Sequence, residues 1–330
     1  MVNTAPAFHH ARPLAAALAV VALLAAAPAS AQKDFPGRPL RIVVGFPPGS
    51  SNDILARFLG QRLGERYGQQ VIVDNRPGAN GIIGTEIVAR ATSDGHTMLL
   101  LTTTYTMNAA LYKLPFDPHK AFVPVNLIGT GPLVLVSSPA FAPKNVRELL
   151  DLARAKPDVL TYGTAGNGGI NHFATEIFSR AAGIRMVHVP YKGGAPALTD
   201  VIAGQINVMF GTLPLTVRQV QGGKIRGFAV TSGKRTPLLP DVPTLAEAGV
   251  PGAEVATWWG IAVPAGTPAA IVARLNADIG AIVTQPESAQ RLENEGAEPR
   301  SMPSAAFGKF VAGEMEKWAR VAREANIRIQ

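Results

Sequence analysis

Cysteine is absent from all 330 residues. That absence excludes disulfides, thiolate metal sites and cysteine nucleophiles together. Charged residues are sparse at 16 %, and no run of five Lys or Arg occurs, so the electrostatic footprint of a nucleic-acid binder is missing. The short motifs of common enzyme classes are missing too. Gly166-Asn167-Gly168 does not extend to G-x-G-x-x-G, because Asn171 stands at the last position. Gly233-Lys234 is followed by Arg235, and the upstream Gly227 is one residue too far away for a phosphate-binding loop. There is no G-x-S-x-G elbow and no H-E-x-x-H. No pair among the six histidines has metal-ligand spacing. These absences lead to an expectation of no cofactor, no metal and no nucleic-acid partner.

What is present begins with a leader. Arg12 precedes an apolar run from Leu14 to Ala27, and Ala29-Ser30-Ala31 supplies the small-x-small cleavage pattern. Residues 1–31 therefore read as a secretory signal peptide, with cleavage near Ala31 and a periplasmic mature chain from about Gln32. No later segment reaches 18 consecutive apolar residues. Hydrophobic residues make up 47 % of the chain, enough for a sizeable core without disulfides. The net charge of +8 suits either an acidic solute or a solubilising surface.

Along the mature chain, short β-rich runs alternate with helical spacing. Strands are expected at 40–45, 71–74 and 97–101, with helices at 54–67 and 81–91 between them. Four prolines between 113 and 132 read as an irregular crossover. A second alternation follows, with strands at 133–137, 159–162, 186–190, 206–210 and 225–230. Helices after Asn145 and over 171–182, 195–203 and 213–221 separate them. Thr244-Leu245-Ala246-Glu247 reads as a capping box opening a short helix. A strand at 255–263, a helix from Pro268 and a last helix from about Ser304 complete the chain. The fold class is α/β, with two doubly wound lobes and a cleft between them. Small ligands favour such clefts and the carboxyl ends of parallel strands.

The loops after the strands carry the candidates. The first contains Phe46, Pro48, Gly49, Ser50, Ser51, Asn52 and Asp53. It opens a long helix that Ser51 or Asn52 would cap, and the helix start favours an anion. The second contains Thr164, Ala165, Gly166 and Asn167, with four glycines in seven residues, and forms a nest of amides before another helix. Lys192 in a third loop offers a charge, and Thr212 stands between a strand and a helix. Tyr105, Trp258 and Trp259 are candidates to wall the cleft, against a core role for each. Ser50 or Ser51 with His172 and Asp53 would form a hydrolytic triad on paper, with nothing in the spacing to support it.

With these loops in view, the mature chain resembles the substrate-binding receptors of tripartite tricarboxylate transporters. The resemblance is carried, in order, by Val44-Gly45-Phe46-Pro47-Pro48-Gly49-Ser50-Ser51-Asn52-Asp53, Asp74-Asn75-Arg76-Pro77-Gly78-Ala79-Asn80-Gly81, Tyr162-Gly163-Thr164-Ala165-Gly166-Asn167-Gly168, His188-Val189-Pro190-Tyr191-Lys192-Gly193 and Leu239-Pro240-Asp241-Val242-Pro243-Thr244. It implies a two-lobe periplasmic-binding-protein fold of the type II kind. Lobe 1 is then discontinuous, 32–131 plus 253–330, and lobe 2 is 132–252. It implies a monomer that takes a small organic acid, a di- or tricarboxylate or an aromatic carboxylate. It implies membrane transporter subunits as partners and no catalysis. Two departures stand out. Ser50 replaces the second glycine usual before the Ser/Thr of the first loop. Gly211-Thr212 stands where many members have an acid, which argues against an amino-acid ligand. The alternatives are an exported hydrolase or lyase using the same cleft and a ligand-sensing subunit of a signalling system.

Overall fold

A computed structural model describes residues 1–2, 35–324 and 327. The signal-peptide reading of residues 1–31 falls almost wholly outside them. The chain divides into two units, Met1–Gly37 and Arg38–Gln330, and the fold below is that of the second.

The first alternation is β1 (Leu40–Val44), α1 (Ser51–Tyr67), β2 (Val71–Asn75), α2 (Ile82–Ala89), β3 (Thr97–Thr102) and α3 (Thr103–Leu111). Helix α1 forms because Leu55, Phe58, Leu59 and Leu63 recur at helical spacing on its buried face, and Gly68 ends it in the left-handed conformation. β1 pairs in parallel with β2 and β3. The second alternation is β4 (Phe122–Ser137), α4 (Val146–Ala155), β5 (Thr161–Thr164), α5 (Ile170–Ala182), β6 (Val187–Pro190), α6 (Gly194–Ile202), β7 (Val208–Thr212), α7 (Leu213–Gln221) and β8 (Arg226–Val230). The chain ends with β9 (Ala256–Pro264), α8 (Ala269–Thr284), α9 (Pro286–Asn294), the short β10 (Glu298–Pro299) and α10 (Ser304–Glu324).

One ten-stranded sheet results, in the order β2-β1-β3-β9-β4-β7-β5-β6, with β8 and β10 also on β4. β4 runs through both alternations. From Phe122 to Pro132 it pairs with β9, and from Leu133 to Ser137 with β7 and β8. The return crossing is tied to it: the Leu133 N–H donates to the Thr231 hydroxyl at 2.9 Å, and that hydroxyl donates to the Val255 carbonyl. Helix α10 touches both parts of the core, with Phe307, Val311 and Met315 beside β3 and Trp318 edge-on to Phe173 of α5.

The structure corrects the sequence reading in four places. Residues 122–132 form a strand despite Pro124 and Pro132. A proline costs a ladder hydrogen bond, but the register shifts directly after Pro124, and Pro132 stands where β4 changes partners. Thr244-Leu245-Ala246-Glu247 does make both capping-box bonds, at 3.1 and 2.7 Å. The segment makes only a turn, because the chain reverses at Gly249, whose φ is +89°, and the Val250 N–H bonds back to the Leu245 carbonyl. Helices α3 and α9 were not anticipated. The cap of α1 is Ser50, not Ser51 or Asn52; its hydroxyl accepts the Asp53 N–H.

Candidate ligand-binding site

The carboxyl ends of the parallel strands lead into one cavity of about 30 Å³. Around it stand the first residues of five helices. Ser50, Ser51 and Asn52 come from α1, Thr102 and Thr104 from α3, Ile170 and Asn171 from α5, Gly194 from α6, and Thr212 and Leu215 from α7. Phe46, Ala165, Thr257 and Trp259 complete the wall. Among the described residues no ionisable side chain lines it. Of the five helices only α1 has a side-chain cap; α3, α5, α6 and α7 have none. The first N–H groups of a helix lack intrahelical partners and carry the positive end of its dipole. Four such uncapped starts at one cavity make a field for an anion without a formal positive charge.

The walls are held from behind. The Trp259 indole N–H donates to Asn52 Oδ1 at 2.9 Å, which leaves the Asn52 amide hydrogens free to donate elsewhere. Asn171 Nδ2 donates to the Phe210 carbonyl in the middle of β7. Asp53, the one acid in the first loop, does not line the cavity. It accepts from the Gly49 N–H at 2.9 Å, Asn75 Nδ2 at 3.0 Å and Arg57 Nε at 3.0 Å. Burial pushes its pKa up, but the bonds from Arg57, Gly49 and Asn75 outweigh burial and hold it below the usual carboxylate range. Asp53 therefore shapes the turn at Gly49, whose φ is +78°.

The second loop is held differently. Thr164 Oγ1 lies 2.7 Å from His188 Nε2, and the Gly168 N–H donates to His172 Nδ1 at 3.0 Å. Both rings are stacked, centroids 4.2 Å apart, with Tyr162 stacked on His188. Burial pushes His172 down to about 4. His188 is pushed down to about 4 by burial and then by His172, against the opposing charge of Glu176. Both rings are thus neutral at pH 7, as an accepting Nδ1 on His172 requires. The rest of the support comes from the β1–β3 portion. The Tyr112 hydroxyl donates to the Asn167 carbonyl at 2.8 Å. Asn80 Oδ1 presses on the loop so closely that a Cβ at Gly169 would stand 3.0 Å from it. In the third loop a Cβ at Gly193 would stand 2.7 Å from Pro47, so glycine lets these two loops meet.

Of the residues singled out from sequence, Phe46, Ser50, Ser51, Asn52, Ala165 and Thr212 line the cavity. Pro48, Gly49 and Lys192 are exposed beyond it. Thr164, Gly166 and Asn167 form the backbone of the second loop. Tyr105 lies behind the cavity, its hydroxyl donating to the Pro118 carbonyl at 2.6 Å. Of the two tryptophans, Trp259 lines the cavity, whereas Trp258 packs on Phe307 and Phe310 and donates to Glu314. Thr102, Thr104, Ile170, Asn171, Gly194, Leu215 and Thr257 were not singled out. The threonines at 102–104 directly after a strand were the signal available for two of them. The imagined triad does not form: the Ser50 hydroxyl caps α1, Asp53 binds Arg57, and His172 accepts from Gly168.

Comparison with known proteins decides the family. Residues 55–327 match the sequence model of the tripartite tricarboxylate transporter family receptor. The chain belongs to that family. A Pseudomonas protein from the tcbD-tcbE intergenic region is 38 % identical over 292 residues, covering 88 % of this chain and 87 % of its own. A protein of R. palustris solved with adipate superposes with a TM-score of 0.87 at 36 % identity, over 89 % of this chain and 99 % of that one. MatC of Rhodopseudomonas palustris, solved with bound malate, gives 0.81 at 32 % identity, over 87 % and 99 %. The fold is that of the periplasmic binding proteins, and family members are substrate-binding receptors rather than enzymes.

Proposed function

We propose that this receptor captures a small organic carboxylate in the cavity between residues 46–53 and 164–171 and delivers it to a tripartite membrane transporter. The observation that carries the reading is the convergence of four uncapped helix starts on a cavity lined by hydroxyls, amides and apolar groups. Backbone N–H groups would take the carboxylate, as helix N-termini take anions generally. Adipate and malate on two relatives support the same ligand class. Among the described residues no acidic side chain lines the wall to neutralise an ammonium, which favours a simple acid over an amino acid. The leader directs the chain to the periplasm. Lobe 1 is 32–131 plus 253–330 and lobe 2 is 132–252, with closure about Pro132–Leu133 and the 231–255 crossing. Ligand contacts to both lobes favour the closed form, which the transporter then reads.

A thermal-shift panel on the chain from Gln32 tests this. It holds succinate, malate, adipate, citrate and benzoate against aspartate, glucose and phosphate. Ligand at 100 times its dissociation constant adds about 2.7 kcal/mol, several degrees for a chain of this size. A shift confined to simple acids is expected. A shift for aspartate above all acids, or for glucose or phosphate alone, contradicts the reading.

A further inference from the structure

The ligand cavity, at about 30 Å³, holds roughly two waters. That is too little for an organic acid, so a ligand enters only when the surrounding helix starts part. Contacts between residues 132–252 and the rest of the chain therefore bear on loading and release. Several are uncharged: the Tyr112 hydroxyl on the Asn167 carbonyl, Pro47 against Gly193, and Trp318 edge-on to Phe173. Among the described residues one ion pair joins the two parts, Arg218 of α7 with Glu295. It stands at an outer cavity of about 410 Å³, which Gly49 and Ile54 line from one part and Leu198 and Leu215 from the other. Leu215 also lines the ligand cavity, so the pair is separated from the ligand by that side chain.

Glu295 is placed so that it needs this partner. It directly follows α9, whose carboxyl end carries the negative pole of the helix dipole and disfavours a carboxylate. Its side chain is only 17 % exposed, which adds a desolvation cost. The one cation of α9, Arg291, is turned away from it, over the Phe58 ring and toward Gln61 of α1. Arg218 stands in the last turn of α7, where a cation is favoured, and brings its guanidinium across. Beside the pair the two backbones meet closely. Gly296 has a φ of +82°, and a Cβ there would stand 2.7 Å from the Leu213 side chain at the start of α7. Glu295 thus has its compensating charge only while α7 lies against this corner, and parting leaves the carboxylate at a helix end of like sign.

We infer that Arg218 and Glu295 form an electrostatic clasp that holds the two parts of the receptor together over the bound acid and sets how fast the acid leaves. The inference rests on the closing motion proposed above and adds the residues that time it.

Stopped-flow release of adipate and small-angle scattering of the ligand-free receptor test this. The chains are the unmodified one, Arg218→Gln, Arg218→Glu, and the charge swap Arg218→Glu with Glu295→Arg. Arg218→Gln should speed release about fivefold, the upper range for a partly exposed pair, and it serves if Arg218→Glu does not fold. Arg218→Glu sets two carboxylates at the joint. It should speed release about tenfold and enlarge the ligand-free radius of gyration. The swap should restore the radius and bring release back to within about twofold of the unmodified rate, because the two sites act as one unit. Equal release from all four chains overturns the clasp and leaves the carboxylate reading standing. Faster release that the swap does not reverse also overturns it, since general damage to α7 would do the same. If no acid of the panel binds, the carboxylate reading falls and scattering decides alone. A larger radius in Arg218→Glu that the swap reverses then supports the clasp, and an unchanged radius overturns it.

Discussion

The two glycine-bearing loops that meet at the cavity look alike in sequence, each running from a strand into a helix, yet they are built by opposite means. Residues 46–53 are fastened from within their own portion: a Ser50 cap, a buried Asp53 and the Arg57 and Asn75 groups that bind it. Residues 164–169 precede an uncapped helix. They are fastened by two neutral imidazoles behind and by Asn80 and Tyr112 from across the cavity. One loop is a rigid receptor surface. The other takes its shape partly from residues of the first alternation. The difference teaches that two loops of similar sequence can be held in place either by their own neighbours or by residues distant in the chain.

Acid should separate the loops most strongly. The histidines have folded pKa values below the unfolded value of about 6.5, so the unfolded chain binds more protons between the two. Stability is therefore full above pH 6.5 and falls as pH drops toward about 4. For His172 the loss reaches about 3 kcal/mol by pH 4. The first loop fails later: Asp53 is held below its ordinary 3.8, so its contribution disappears only below that value. Amide exchange measured from pH 7 to pH 3.5 should show Gly168 losing protection before Gly49. Simultaneous loss would break the comparison.

Asp53→Ala comes next. It removes the bonds from the Gly49 N–H, Asn75 and Arg57 at once, and should cost about 1–2 kcal/mol in denaturant melts; Gly49 and Arg57 are exposed and re-pair with water, so the loss falls mainly on half-buried Asn75. Loss below about 0.5 kcal/mol would mean that the first loop is not internally fastened. The smallest effect belongs to Tyr112→Phe, which removes one hydroxyl and its bond to Asn167. Acid affinity should fall about fivefold, through faster release, with the ligand-free melting point unchanged. An equal loss of ligand-free stability would make Tyr112 a core residue and nothing more.

Much of this was legible in the residues. The βα alternation, the helix starts and the first loop follow from apolar periodicity and capping chemistry, and Leu213–Gln221 forms over the expected span. What stayed hidden depends on neighbours far along the chain. Nothing local shows that Pro124 and Pro132 lie in a strand, because the register shift and change of partner that accommodate them belong to β9 and β7. Thr102 and Thr104 become site residues only when β3 delivers α3 to the cavity. Asp53 looks like a ligand contact from its motif; its engagement by Arg57, Gly49 and Asn75 requires the folded turn. His172 and His188 are 16 residues apart in the chain; the pairing of β5 with β6 sets His188 beside Tyr162, and α5 brings His172 onto it.

The central claim is that backbone amides at helix starts, rather than charged side chains, hold the ligand. Amide chemical shifts during titration with adipate test it most directly. The account predicts that the largest movements fall on Ser51, Asn52, Thr104, Asn171 and Gly194, with affinity little changed between low and physiological salt. Movements confined to residues around exposed Lys and Arg, with affinity collapsing as salt rises, would contradict it.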